Sequence, residues 1–179
     1  MIIRNAEIKD RESLEEICFN TRTGSLLNVE DKKGFTYRWV TNYVENFIDF
    51  CFVAEDNNEI IGYIVSTPNT EKQEELYYNK SGINIIRTIT VLENLLEEYP
   101  AHLHINLTSK TRGKGVGTKL IESMENKLIE SGIKGVHLGV MADNEIAFSF
   151  YKKNGFNVIK NQILDNNQGS VLFMGKILA

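Results

Sequence analysis

The sequence predicts a mixed α/β fold, and three observations carry that expectation. Residues 101–107 alternate, with Leu103, Ile105 and Leu107 on one side and His102, His104 and Asn106 on the other, the period of a half-buried strand. A glycine-rich turn, Arg112-Gly113-Lys114-Gly115-Val116-Gly117, then leads into a helix whose apolar stripe is Val116, Leu120, Ile121, Met124, Leu128 and Ile129. Upstream, two apolar runs, Phe50 to Glu55 and Ile60 to Thr67, meet at Asp56-Asn57-Asn58, a sequence suited to a tight hairpin turn. Strands alternating with helices in this way imply a layered sheet with helices packed on it.

The elements follow in order. Ile2 to Arg4 reads as a first strand, and Asp10 as the cap of a helix with apolar face Leu14, Ile17 and Cys18. Thr21 to Lys33 has no sustained period and reads as loop. A second helix is expected from Gly34 to Phe47, with Trp39, Val40, Tyr43, Val44 and Phe47 at helical spacing. After the hairpin, residues 69–99 are expected as a helical insertion between the third strand and the central strand. Its stripe is Ile85, Ile86, Ile89, Leu92, Leu96 and Tyr99, placed after Ser81-Gly82 and stopped by Pro100. The central strand and its helix come next, the helix closing at Ser131-Gly132. Gly135 to Val140 is a short apolar strand, and Asp143 or Asn144 caps a helix bearing Ile146, Ala147, Phe150 and Tyr151 that ends at Asn154-Gly155. Phe156 to Gln162 and Ser170 to Ile177 give two last strands, expected antiparallel.

At 179 residues and 42% hydrophobic content the chain suits one domain with one core. A net charge of −4 argues against a nucleic-acid module, which normally presents a basic face. No signal-peptide pattern or membrane-length apolar run is present, so no membrane association and a cytoplasmic location are expected. Cys18 and Cys51 lack metal-ligand spacing and read as reduced core residues, and no metal site is expected.

The glycine-rich turn sits at a helix N-terminus, where unpaired N–H groups and the positive end of the dipole favour a phosphate or pyrophosphate. Neither nucleotide motif fits its spacing. A P-loop needs Gly, four residues, then Gly-Lys-Ser/Thr; a dinucleotide fingerprint needs a third glycine where Thr118 or Leu120 stands. What fits is R-x-x-G-x-G, on Arg112, Gly115 and Gly117.

With that loop, the sequence resembles the GNAT superfamily of acyl-CoA-dependent N-acyltransferases. The resemblance is strongest from Pro100 to Val158. Its second block, Asn144, Ala147, Phe150-Tyr151 and Asn154-Gly155-Phe156, is similar to the family's fourth helix. A narrower resemblance, to the acetyltransferase-like domain of some O-GlcNAc hydrolases and its free-standing bacterial relatives, rests on Cys18 to Gly24, Phe52 to Glu55, Gly62-Tyr63, Thr67-Pro68 and Pro100 to His104.

The resemblance implies a twisted mixed sheet of about seven strands, splayed at the central strand, with helices on both faces. It also implies acetyl-CoA as cofactor. The main chain of Ile105, Asn106 and Leu107 would run along the pantetheine arm, and Arg112, Gly113, Lys114, Gly115, Val116 and Gly117, with the Thr118 hydroxyl, would hold the pyrophosphate. Asn144 would face the cofactor from the opposite wall, and a backbone donor such as Leu107 N–H would steady the oxyanion. Tyr151 is the expected general acid and a further cofactor contact, since a phenol of pKa about 10 stays protonated at neutral pH. His102 and His104 are base candidates, against the alternative that hydrogen bonds beneath the insertion satisfy them; Glu55 is a weaker one. The acceptor is an amine on a small molecule or on a protein or peptide. Its pocket is expected from Thr21 to Lys33, the second helix and the insertion, with Phe35, Tyr37, Trp39, Tyr77 and Tyr78 lining it or filling core. A non-catalytic module binding CoA or peptide is the alternative on the same scaffold. Oligomeric state is open, a homodimer included.

Overall fold

A computed structural model describes residues 1–22, 31–82, 91–111, 113–164 and 169–178. Seven strands form one mixed sheet in the order β1-β2-β3-β4-β5-β7-β6. They are β1 Ile2–Asn5, β2 Phe52–Asp56, β3 Glu59–Thr67, β4 Ala101–Leu107, β5 Gly135–Met141, β6 Asn157–Ile163 and β7 Ser170–Ile177. The pairings are antiparallel except β4 with β5, which is parallel. In the β2–β3 hairpin, Asp56 pairs with Glu59, and both intervening asparagines take left-handed backbone, Asn57 at φ 51° and Asn58 at φ 62°. Two consecutive left-handed residues make the turn whose twist matches the flanking strands, and asparagine tolerates that region better than most residues.

Among the described residues the main helices are α1 Arg11–Asn20, α2, α3 Thr70–Ser81, α4 Val116–Glu130 and α5 Glu145–Lys153. Helix α2 joins Lys32–Thr36, a π turn at Tyr37–Thr41 and Asn42–Asn46. It starts before the expected Gly34 because the Asp31 side chain accepts from Gly34 N–H. Alternation on the strands divides the core between the two faces of the sheet. One face carries Ala54, Ile64 and Leu103 against Val116, Leu120, Ile121, Met124 and Leu128 of α4. The other carries Val53, Tyr63 and Val65 against Leu14 and Ile17 of α1 and Val40, Tyr43 and Val44 of α2.

Two expectations are corrected. Asp10 does not cap α1: its carboxylate accepts Glu7 N–H at 2.8 Å and pairs with Arg4 at 2.7 Å, closing a 3₁₀ turn one step earlier. The Arg4 guanidinium holds this carboxyl below its ordinary range. The insertion between β3 and β4 opens with a helix that the apolar stripe did not indicate, α3, capped by Asn69, whose side chain accepts Lys72 N–H at 2.8 Å, and stopped by left-handed Gly82. Of the expected stripe, Ile85, Ile86 and Ile89 lie outside the described residues, while Leu92 and Leu96 are buried.

Candidate active site at the strand fork

Strands β4 and β5 pair only at their beginnings, Ala101 with Val136 and His102 with His137. Beyond that point β4 keeps its partner β3 as far as Leu107, and β5 keeps β7 as far as Met141, so the sheet forks. The ladder fixes which main-chain groups face the fork. Thr108 N–H donates to Ile61 C=O at 3.0 Å, which makes these residues a hydrogen-bonded pair; alternation then gives His102, His104 and Asn106 to β3. The amides and carbonyls of Leu103, Ile105 and Leu107 point toward β5, away from β3. Asn106 is committed elsewhere as well: its side chain accepts from Tyr63 Oη at 2.9 Å and donates to Thr21 Oγ1 at 2.7 Å.

At the open end of β4 the chain turns into α4. Gly113 and Gly115 have φ of 71° and 66°, where a β-carbon is strained, and empty space lies over both. Gly117 has a different task. A β-carbon there would stand 2.8 Å from the Phe150 ring and 3.1 Å from Leu107, so its absence lets α4, β4 and α5 converge at the fork. Lys114 N–H is taken by Thr111 C=O at 3.2 Å. The amides of Gly113, Gly115, Val116, Gly117 and Thr118 and the Thr118 hydroxyl have no hydrogen-bond partner among the described residues. Arg112 lies outside them.

Helix α5 is capped by Asn144, whose side-chain oxygen accepts Ala147 N–H at 3.1 Å; its amide nitrogen has no partner among the described residues. Tyr151 packs between Phe150 and Phe156 and is 9% exposed. Burial raises its pKa above that of an ordinary phenol, and its hydroxyl bonds to no described residue.

The polar side of β4 faces a cavity of about 90 Å³ lined by residues of α2, α3, β4, β5 and β7. His102 is deep in its wall: Nε2 lies 2.5 Å from Tyr43 Oη and Nδ1 2.9 Å from Thr70 Oγ1. His104 Nε2 lies 3.1 Å from the same Tyr43 oxygen, with the Trp39 ring edge-on at 4.7 Å. His137, opposite on β5, bonds through Nδ1 to Tyr99 C=O at 2.8 Å. Burial lowers all three pKa values, His104 to about 3, His137 to about 4 and His102 well below 6.5, so the imidazoles are neutral at pH 7. Arg38, from the π turn, lies 4.6 Å over the Trp39 ring, and burial lowers its pKa too. Glu74 completes the lining from α3.

Of the residues singled out from sequence, the structure gathers Ile105, Leu107, Gly113, Gly115, Val116, Gly117 and Thr118 around the fork, and His102 and His104 on its other face. Glu55 stands apart, held by Arg4 at 2.7 Å. Tyr43, Thr70, Glu74 and His137 were not singled out.

The model of the acetyltransferase (GNAT) family matches residues 18–156. This chain belongs to that family. The fork in this GNAT chain therefore sits within the matched region. Among similar proteins is an uncharacterized N-acetyltransferase, YobR, of Bacillus subtilis, 26% identical over 72% of this chain and 52% of that protein. Another is N-alpha-acetyltransferase 30 of Schizosaccharomyces pombe, 27% identical over 68% of this chain and 65% of that protein. This GNAT chain thus spans between about half and two thirds of the length of those relatives. Among solved structures, SsHAT superimposes with a TM-score of 0.79 at 25% identity, covering 99% of this chain and 98% of that one. A ribosomal-protein-alanine N-acetyltransferase from Brucella melitensis gives 0.67 at 20% identity over 99% and 100%, a likeness of fold.

Proposed function

We propose that this chain is an N-acetyltransferase that moves the acetyl group of acetyl-CoA to a primary amine of a small molecule, protein or peptide. The observation that carries the reading is the fork: a strand edge whose Leu103, Ile105 and Leu107 main-chain groups face away from β3, ending at a helix N-terminus whose amides have no partner among the described residues. The residues present fit the group. An extended arm with amide bonds can be held along β4, and a diphosphate at Gly113, Gly115, Val116, Gly117 and Thr118 with Lys114 beside it. Arg112 is assigned to the same contact from the sequence pattern, and Asn144, through its amide nitrogen, to the opposite wall. When bound, acetyl-CoA supplies an activated thioester carbonyl that an amine can attack.

The chain's own groups divide the remaining work. Leu107 N–H would serve as the donor to the thioester carbonyl oxygen, a contribution of about 10²- to 10³-fold for one such donor. Tyr151, protonated at every physiological pH, gives its hydroxyl proton to the departing sulfur. His104, neutral and on the acceptor side, takes a proton from nitrogen once attack has made that N–H acidic; its depressed pKa makes it a poor base toward a free ammonium. His102, bonded through both nitrogens, holds its neighbours in place. The narrower kinship with the acetyltransferase-like domain of O-GlcNAc hydrolases is part of the proposal and rests on the residue pattern. So is a cytoplasmic location, which the buried, unpaired Cys18 and Cys51 support.

Calorimetry with acetyl-CoA, CoA and ATP, followed by thiol release on an amine panel, tests this. Acetyl-CoA and CoA are expected to bind and ATP not, with thiol released only when an amine is present. No heat with acetyl-CoA refutes the reading; binding without turnover on any amine leaves the non-catalytic module in its place.

A further inference from the structure

Pro100 C=O can only accept, and it lies 2.8 Å from Thr70 Oγ1, so the single hydroxyl proton of Thr70 is spent there. His102 Nδ1, 2.9 Å from the same Thr70 oxygen, must then be the donor in that contact. A neutral ring protonated on Nδ1 has its lone pair on Nε2, and this accepts the Tyr43 hydroxyl proton. The Tyr43 oxygen is left to accept from His104 Nε2–H. Every donor in the series points toward Pro100, and His104 is left with its lone pair on Nδ1, for which no described residue supplies a donor. Across the fork, His137 Nδ1–H is used by Tyr99 C=O. Its Nε2 is therefore a second lone pair, buried in a residue 1% exposed and without a hydrogen-bond partner among the described residues.

We propose that this cavity is an amine subsite in which His104 Nδ1 and His137 Nε2 are fixed as hydrogen-bond acceptors, with Tyr43, His102 and Thr70 as the positioning residues that set the His104 tautomer. The inference deepens the acetyltransferase reading by naming where the acceptor nitrogen sits. An orphaned buried acceptor costs free energy that a donor on the occupant recovers. A primary amine or ammonium brings two or three donors to the two nitrogens and to Glu74 on the same wall. A carboxylate brings none. Arg38 also lines the cavity over the Trp39 ring, and its positive charge adds to burial in keeping His104 neutral. At about 90 Å³ the space holds on the order of six water-sized groups, enough for a short alkyl chain between Trp39, Tyr43, Tyr77 and Phe173.

The whole chain, without acetyl-CoA, serves for the test. Long-range ¹H–¹⁵N spectra of the histidine rings at pH 7 are expected to find His102 and His137 protonated on Nδ1 and His104 on Nε2. Trp39, the sole tryptophan, then reports titrations with n-butylamine, n-butanol and n-butyrate. The amine is expected to change its fluorescence saturably, with the alcohol at least tenfold weaker and the carboxylate silent. Tyr43→Phe and Thr70→Val are each expected to mix the ring tautomers and weaken n-butylamine about tenfold while leaving acetyl-CoA affinity unchanged. A wild-type His104 protonated on Nδ1, an equal response to butanol or butyrate, or no response to the amine overturns the inference. Each of those results is independent of whether acetyl-CoA gives heat, so the two proposals fail separately.

Discussion

Removing one oxygen atom separates the two tasks of Tyr151. Its ring packs on Phe150 and Phe156, and its hydroxyl bonds to no described residue, so Tyr151→Phe deletes the proton donor and leaves no orphaned partner behind. Acetyl-CoA affinity and thermal midpoint are expected to stay within error while thiol release falls about 10²- to 10⁴-fold. Turnover equal to wild type removes Tyr151 from the chemistry and leaves it as core. The residue was legible beforehand because Phe150-Tyr151 and Asn154-Gly155-Phe156 form a recognisable block. His137 was not. Val136, Leu138 and Val140 around it gave Gly135 to Val140 the pattern of an apolar strand, and a buried imidazole in such a run carries no periodic signature. Gly117 was legible as a glycine but not by purpose: spacing suggested ligand approach, and the ring of Phe150 accounts for it equally well.

Helix α3 explains why a whole element escaped a reading by hydrophobic period. Thr70, Gln73, Glu74 and Tyr77 are all buried, at the 0, 3, 4, 7 spacing of a helix face, yet three of the four are polar. The stripe is real, and its polarity reflects the cavity that it faces. The signals that could have located it are the Asn69 cap and the Gly82 stop, twelve residues of helix apart. By contrast α4 was legible as far as Leu128, since Val116, Leu120, Ile121, Met124 and Leu128 meet an apolar sheet face, whereas Ile129, expected on the same stripe, is exposed in the last turn. The cap gives the element's test. Asn69→Ala leaves Lys72 N–H unpaired and is expected to cost about 1 kcal/mol in urea unfolding, with the denaturant slope unchanged. Because Thr70 follows the cap directly and holds His102, the same change is expected to broaden the His102 ring signals without altering acetyl-CoA binding. An unchanged urea midpoint argues against α3 being capped as described.

For the molecule as a whole, three neutral imidazoles at one sheet junction make acid the condition to which the fold is most sensitive. Burial depresses His102, His104 and His137, the last two to about 3 and about 4, whereas in the unfolded chain all three titrate near 6.5. The unfolded state therefore binds protons first as pH falls. The stabilisation is complete above about 6.5 and is lost progressively as pH drops toward the folded values. Each histidine protonated only in the unfolded chain contributes a slope of about 1.4 kcal/mol per pH unit. Two or three acting together exhaust the roughly 5–15 kcal/mol of an ordinary domain within a few pH units. Asp10, held below its ordinary range by Arg4, adds a loss only further down, as pH falls through the carboxylate region. Urea midpoints taken from pH 8 to pH 4 are accordingly expected to be flat above 7 and to fall steeply between 6 and 4, before most carboxylates titrate. His137→Asn, whose amide nitrogen can still donate to Tyr99 C=O, removes one titrating group and is expected to make that fall shallower by about one proton's worth. A midpoint that holds constant from pH 7 to pH 5 would mean that the imidazoles keep ordinary pKa values in the fold, and that their burial does not disfavour the charged ring.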